Sequence, residues 1–184
     1  TQNPIEQEGT YNLPEAQLDR FLMYIKIDQP DADTERKILK LVRTEQRETK
    51  EQDPAWQEFS KTVGKIAVED ILTARREVLS MHVSESLEEY LVQLIVATRK
   101  PEKYDASLRD KILFGASPRA TIALDKCAKI NAWLDGRDFV TPEDIHAVIY
   151  DVLRHRIILS FEAQADGLTT DDIIASLLKT VPLP

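Results

Sequence analysis

Thr141-Pro-Glu-Asp-Ile-His-Ala-Val-Ile-Tyr-Asp-Val-Leu153 carries a complete helix start followed by a helical apolar face. Thr141 can cap, and Pro142 fits the first turn, where its missing N–H is not needed. Asp144 stands three residues after Thr141, the spacing of a capping-box partner. Ile145, Val148, Ile149, Val152 and Leu153 then recur at i, i+3, i+4, i+7 and i+8, one stripe of a 3.6-residue helix. Working outward, Ser117-Pro118 opens a second helix in the same way. Its apolar face is Ala120, Ala123, Leu124, Cys127 and Ala128, and Gly136 is its expected stop. Leu87, Tyr90, Leu91, Leu94 and Ile95 mark a third helix. Shorter helices are expected over 32–47 (Ile38, Leu39, Leu41, Val42), 68–80 (Ile71, Leu72, Val78, Leu79) and 169–180 (Ile173, Ile174, Leu177, Leu178). The fold class that follows is mainly α.

One segment reads as a strand. Phe21-Leu-Met-Tyr-Ile-Lys-Ile27 is a short, mostly apolar run closed by Asp28-Gln-Pro30, and Ile157–Phe161 is a weaker second candidate. A buried strand needs neighbours, and the sequence offers almost none, so the sheet is expected to be encoded upstream. The opening Thr-Gln-Asn-Pro-Ile-Glu-Gln-Glu-Gly9 likewise reads like the interior of a longer protein. The polar, mixed-charge stretch 48–66, with Pro54 and Trp56, is expected to be a loop.

Composition narrows the function classes. The 184 residues are 42% hydrophobic and 30% charged, which predicts a real core rather than disorder. With 24 Lys and Arg against 32 Asp and Glu the net charge is −8, and the pI is near 5.0. Such a balance argues against a surface that grips duplex nucleic acid. No apolar run approaches the roughly 20 residues of a membrane span. Cys127 alone can form no intrachain disulfide and no multi-cysteine zinc site.

Conventional catalytic patterns are nearly absent from the sequence. His82, His146 and His155 match no zinc spacing. His146 reads as a core-rim or surface residue, and Arg154-His-Arg156 as either a basic contact patch or a solvated helix end. Cys127 reads as a small buried hydrophobe. Glu88-Glu89 and Asp171-Asp172 sit at helix starts or exposed faces, where carboxylates suit the helix dipole. A Walker A loop, G-x-x-x-x-G-K-[ST], is missing: Gly64-Lys65 is followed by Ile66, and Phe59 stands where its first Gly belongs. No apolar run ending in Asp-Glu supplies a magnesium ligand. The chain is therefore expected to turn over no ATP on its own and to need no metal.

Two constellations are more specific: Asn3-Pro-Ile-Glu-Gln-Glu-Gly-Thr-Tyr11 with Leu13-Pro-Glu-Ala-Gln-Leu-Asp-Arg-Phe21, and Gly115-Ala-Ser-Pro-Arg119-Ala. Together with Gly136-Arg-Asp-Phe-Val-Thr-Pro-Glu-Asp144, Val152-Leu-Arg-His-Arg156 and Val181-Pro-Leu-Pro184, they resemble the C-terminal half of MoxR-family AAA+ ATPases across essentially the whole chain. The resemblance implies residues 1–29 as the end of an αβα nucleotide-binding core and 30–184 as a helical lid. Asn3 matches sensor 1, whose amide helps place the attacking water. Arg20 matches the arginine finger that enters the neighbouring subunit's site, where a delocalised guanidinium suits a spread phosphoryl charge. Arg119 matches sensor 2, a phosphate-contacting residue of the lid; as an ordinary first-turn arginine it would be slightly disfavoured by the positive helix end.

The resemblance further implies ATP and Mg in the full-length parent, and a cytoplasmic homo-oligomeric ring, usually a hexamer. A von Willebrand A-type partner and chaperone-like maturation of protein complexes also follow from it. Two alternatives stand beside it. One is the lid of another AAA+ branch, a magnesium chelatase subunit or a helicase. The other is a free-standing helical interaction module that binds no nucleotide.

Overall fold

The computed structural model describes residues 13–47, 64 and 66–184. The expected loop over 48–66 falls mostly outside these. The described residues divide into two units, 13–25 with 76–184, and 26–75.

The first unit begins with α1 (Glu15–Leu18). It continues through α4 (Glu85–Arg99) and two 3-10 turns (Pro101–Lys103 and Ala106–Leu108) to β1 (Ile112–Phe114). Then come α5 (Pro118–Leu134), α6 (Pro142–Leu153), β2 (Ile158–Leu159), α7 (Phe161–Ala165) and α8 (Thr170–Thr180). The long helices start where local chemistry says they should. Ser84, Ser117, Ser160 and Thr169 each accept a backbone N–H of the helix they precede. The Asp144 carboxylate accepts the Thr141 amide N–H at 2.8 Å, closing the capping box at α6. At the far end of α5, Gly136 takes φ +74°, which lets the Arg137 N–H reach the Ala132 carbonyl at 3.0 Å. That is a Schellman stop, and it needs a residue without a Cβ.

Packing supplies the stability that isolated helices of this length lack. α5 lies along α6, α4 packs on α5, and α8 closes against both α4 and α6. Leu94, Leu124, Ile145, Ile149, Leu153 and Ile174 are fully buried between them. Burial of each such side chain contributes about 1.5–3 kcal/mol. Asp144 is buried as well, and it is satisfied by Arg137 at 2.6 Å, Asn131 at 2.8 Å and Thr141. Burial pushes its carboxyl up, but these hydrogen bonds outweigh it and hold the group well below the usual carboxylate range.

One expectation about strands needs correction, and the weaker candidate is the one that forms. Phe21–Ile27 forms no strand and is not buried: Phe21 is 58% exposed, Ile25 70% and Ile27 87%. No described strand lies alongside to give it a ladder, so the segment runs irregularly. The two-stranded sheet is instead made by β2, within the weaker candidate, and by β1, whose three residues carry no readable alternation. They pair antiparallel, Ile112 opposite Leu159 and Phe114 opposite Ile158.

The second unit holds α2 (Ala32–Arg47) and most of α3 (Val68–Leu79). Both helices form where periodicity places them. Their apolar stripes are not buried, however: residues 32–43 are exposed throughout and α3 has no buried residue. No described helix is long and apolar enough to cross a membrane.

Candidate functional site

Asp19 is the residue that links the two sequence-predicted arginines: Arg119 closes on its carboxylate, and Arg20 is its neighbour in the chain. It caps the C-terminal end of α1, its amide bonded to the Glu15 carbonyl, and Arg20 follows in the same turn. Although 98 to 137 residues separate them in sequence, three side chains of the helical unit converge on its carboxylate. Ser117 Oγ shares its hydrogen between both oxygens, at 3.0 and 2.9 Å. Arg156 Nε donates at 3.1 Å and Arg119 Nη1 at 3.3 Å. Ser117 thus works in two directions, because its oxygen also accepts the Arg119 N–H at 3.2 Å as the cap of α5.

The two arginines differ in kind. The Arg156 side chain is 2% exposed and spends its donors on Asp19 and on main-chain carbonyls of Asp19, Phe21, Leu22 and Val152. Burial pulls its guanidinium down in pKa, with Asp19 opposing. The Arg119 side chain is 56% exposed and has Asp19 as its one ion-pair partner among the described residues. Arg20 is exposed, and its guanidinium pairs with none of the described residues.

Arg154-His-Arg156 is a contact patch rather than a solvated helix end. Arg154 holds Asp171 and Asp151, each at 2.8 Å, and donates to the Tyr24 carbonyl at 3.1 Å. His155 Nε2 lies 3.2 Å from the Phe21 carbonyl, and its ring stacks on Tyr24 with centroids 6.1 Å apart. The Tyr24 N–H donates to the Asp151 carbonyl at 2.8 Å. The first part of the segment expected to be a strand therefore pairs its Phe21, Leu22 and Tyr24 backbone with side chains and a helix end rather than with a sheet.

Arg119 is part of this node and Arg20 adjoins it in the chain, while Asn3 lies outside the described residues. Asp19 and Arg156 were not singled out from sequence as site residues. The signals were present, an acid inside Leu-Asp-Arg-Phe and a basic triplet after α6, but nothing local links them. Cys127 is buried, and burial pushes its thiol up, as expected of an inert core residue. His146 meets Tyr90 at 2.7 Å on the rim of the core. Among the described residues no three metal-ligating side chains cluster.

Comparison with known proteins bears on both halves of the node. Residues 106–177, which include Ser117, Arg119 and Arg156, match the model of the AAA lid domain. Residues 1–23, which include Asn3, Asp19 and Arg20, match that of the ATPase family associated with various cellular activities (AAA). The chain is 37% identical over its whole length to the chaperone MoxR1 of Mycobacterium tuberculosis, covering 46% of that protein. It is 34% identical to the MoxR protein of Methylorubrum extorquens, with 99% of this chain and 53% of that one aligned. The fold superposes on a provisionally assigned ATPase from Cytophaga hutchinsonii with a TM-score of 0.87 and 42% identity. That match covers all of this chain and 53% of the other. The chain spans about half the length of the curated relatives it matches.

Proposed function

The chain belongs to the MoxR-type AAA+ proteins and carries their lid, and from that premise we propose that it reads nucleotide state through Arg119 in an ATP-hydrolysing ring. The observation that carries this reading is the placement of Arg119. It stands in the first turn of α5, half-exposed, on a helix end whose own field favours anions. One carboxylate contact leaves most of its five donors available to phosphate oxygens.

In the full-length protein ATP would lie between a nucleotide-binding core and this lid. Arg119 would contact its phosphates, and Arg20 would reach the nucleotide of the adjacent subunit. Asn3 would help orient the attacking water. The triphosphate brings its magnesium, and no described residue is assigned to that ion. Movement of the lid would drive chaperone-like remodelling of protein complexes by a cytoplasmic six-membered ring served by a von Willebrand A-type partner protein. The 184-residue chain alone would release no phosphate.

The test is Arg119→Ala in the full-length protein. Ala is a good helix former, so α5 should persist and the melting temperature should hardly change. Analogue binding and ATP turnover should both fall, by tenfold or more, given about 1.5–3 kcal/mol for a hydrogen bond to a charged group. Wild-type binding and turnover with a sharply lowered melting temperature would make Arg119 a structural residue and end this reading.

A further inference from the structure

We propose that Asp19 is a positioning residue for the nucleotide site: it is the resting counter-ion of Arg119, which a nucleoside triphosphate must displace before Arg119 can grip its phosphates. The inference rests on the phosphate-contacting role of Arg119 given above.

Its basis is the unequal hold on one carboxylate. Arg156 is buried and fastened to four main-chain carbonyls besides, so it cannot leave Asp19 without abandoning all of them. Ser117 shares its one hydroxyl hydrogen between both carboxylate oxygens and is itself fixed by capping α5. Arg119 is the outlier. Its single contact at 3.3 Å is long for a charge-assisted bond, where about 2.7–2.9 Å is usual. More than half its side chain faces solvent, and ion pairs so exposed contribute little. A triphosphate offers more charge and several oxygens, matched to the guanidinium fork. When Arg119 turns to it, Asp19 keeps Ser117 and Arg156 and is never left as an unpaired, half-buried charge. The exchange is cheap because the carboxylate has other partners. Asp19 also precedes Arg20, so the acid that restrains the phosphate-reading arginine fixes the turn that presents the other one.

The experiment measures binding of a non-hydrolysable ATP analogue to the full-length protein by calorimetry. It compares the wild type with Asp19→Asn, Asp19→Glu, Arg119→Ala and the Asp19→Asn/Arg119→Ala pair. Removing the counter-ion should tighten binding about two- to fivefold, the range of an exposed ion pair. The gain should vanish in the Arg119→Ala background and should not appear in Asp19→Glu, which keeps the charge. A merely structural Asp19 would loosen binding, or leave it unchanged, in both backgrounds, and either result overturns the proposal. Failure of the underlying reading is seen separately, as wild-type analogue affinity in Arg119→Ala alone. Should Asp19→Asn not fold, a crystal structure of the wild-type protein with the analogue decides. The Arg119–Asp19 pair should be open and the Arg156–Asp19 pair intact; an Arg119–Asp19 pair kept with the analogue bound refutes the exchange.

Discussion

The imidazole of His155 is flanked by Arg154 and Arg156, stacked on Tyr24 and half-buried. Its Nε2 faces the Phe21 carbonyl, which accepts a hydrogen bond from it, while Nδ1 is buried without a partner. The neutral ring suits this place, because a second N–H on Nδ1 would find no acceptor. Burial, and then the charge of Arg156, hold the His155 pKa below its ordinary value of 6.5, with the Phe21 carbonyl and Asp19 opposing. The unfolded chain therefore takes up this proton at a higher pH than the folded one. Stability from this group is complete above about pH 6.5 and is lost as pH falls from there through the folded pKa. Thermal melts of the chain should show the melting temperature falling as the pH is lowered from 7 toward 5. In His155→Gln, which can still donate to the Phe21 carbonyl, that part of the pH dependence should disappear. An unchanged profile in the variant would assign the effect to carboxylates instead.

Elements were legible in proportion to how locally they are determined. The start of α6 is written within four residues, Thr141 to Asp144, and the end of α5 in Gly136 alone, so both could be read directly. A strand is different, since its ladder comes from residues far away. Phe21–Ile27 has the composition of a strand and no strand among the described residues to pair with, whereas β1 has a neighbour and too few residues to announce itself. The candidate site divides along the same line. Arg20 and Arg119 could be named from the short strings around them. Asp19 could not be joined to Ser117 and Arg156, because only the folded chain brings them together.

Gly115 belongs to this scale too, since what it permits is a crossing of two elements. The chain passes from β1 to α5 over the end of α4, where Thr98 Oγ1 accepts the Ala116 N–H at 2.9 Å and Arg99 Nε donates to the Ala116 carbonyl at 2.6 Å. A Cβ on Gly115 would lie 2.4 Å from the Thr98 carbonyl oxygen and 2.8 Å from the Arg99 nitrogen. Both are backbone atoms inside or at the end of a packed helix and cannot swing aside. Gly115→Ala should therefore destabilise the chain by about 1–3 kcal/mol, the usual range for overpacking. It should also displace Ser117 and Arg119, loosening their hold on Asp19. Urea unfolding measures the first effect, and a melting curve identical to wild type would show that the crossing tolerates a methyl group.

At the scale of the whole molecule, the proposed roles turn on which nucleotide each exposed arginine would serve. Arg119 rises from the lid unit, and Arg20 occupies a turn whose neighbours Asp19, Phe21 and Leu22 are bound through Arg156 to that same unit. Both guanidiniums are thus carried on one body, and two arginines need not read one nucleotide. In the proposed ring, Arg20 acts on the adjacent subunit, where a positioned guanidinium can be worth about 10³–10⁵ in rate. Arg20→Ala in the full-length protein should abolish most hydrolysis while leaving analogue binding within about twofold of wild type, because the lost contact belongs to the transition state. Mixing this variant with subunits whose own hydrolytic acid is disabled then separates the two geometries. With Arg20 acting across the interface, some junctions in a mixed ring pair an intact arginine with an intact nucleotide site, and turnover should partly return. With Arg20 acting on its own subunit's nucleotide, every subunit carries a defect in its one site and no mixture can recover. Rings verified as mixed by mass spectrometry that stay inactive at every ratio would remove the trans role. Arg20 would then be left as a residue of the α1 turn, and Arg119 as the arginine through which nucleotide is read.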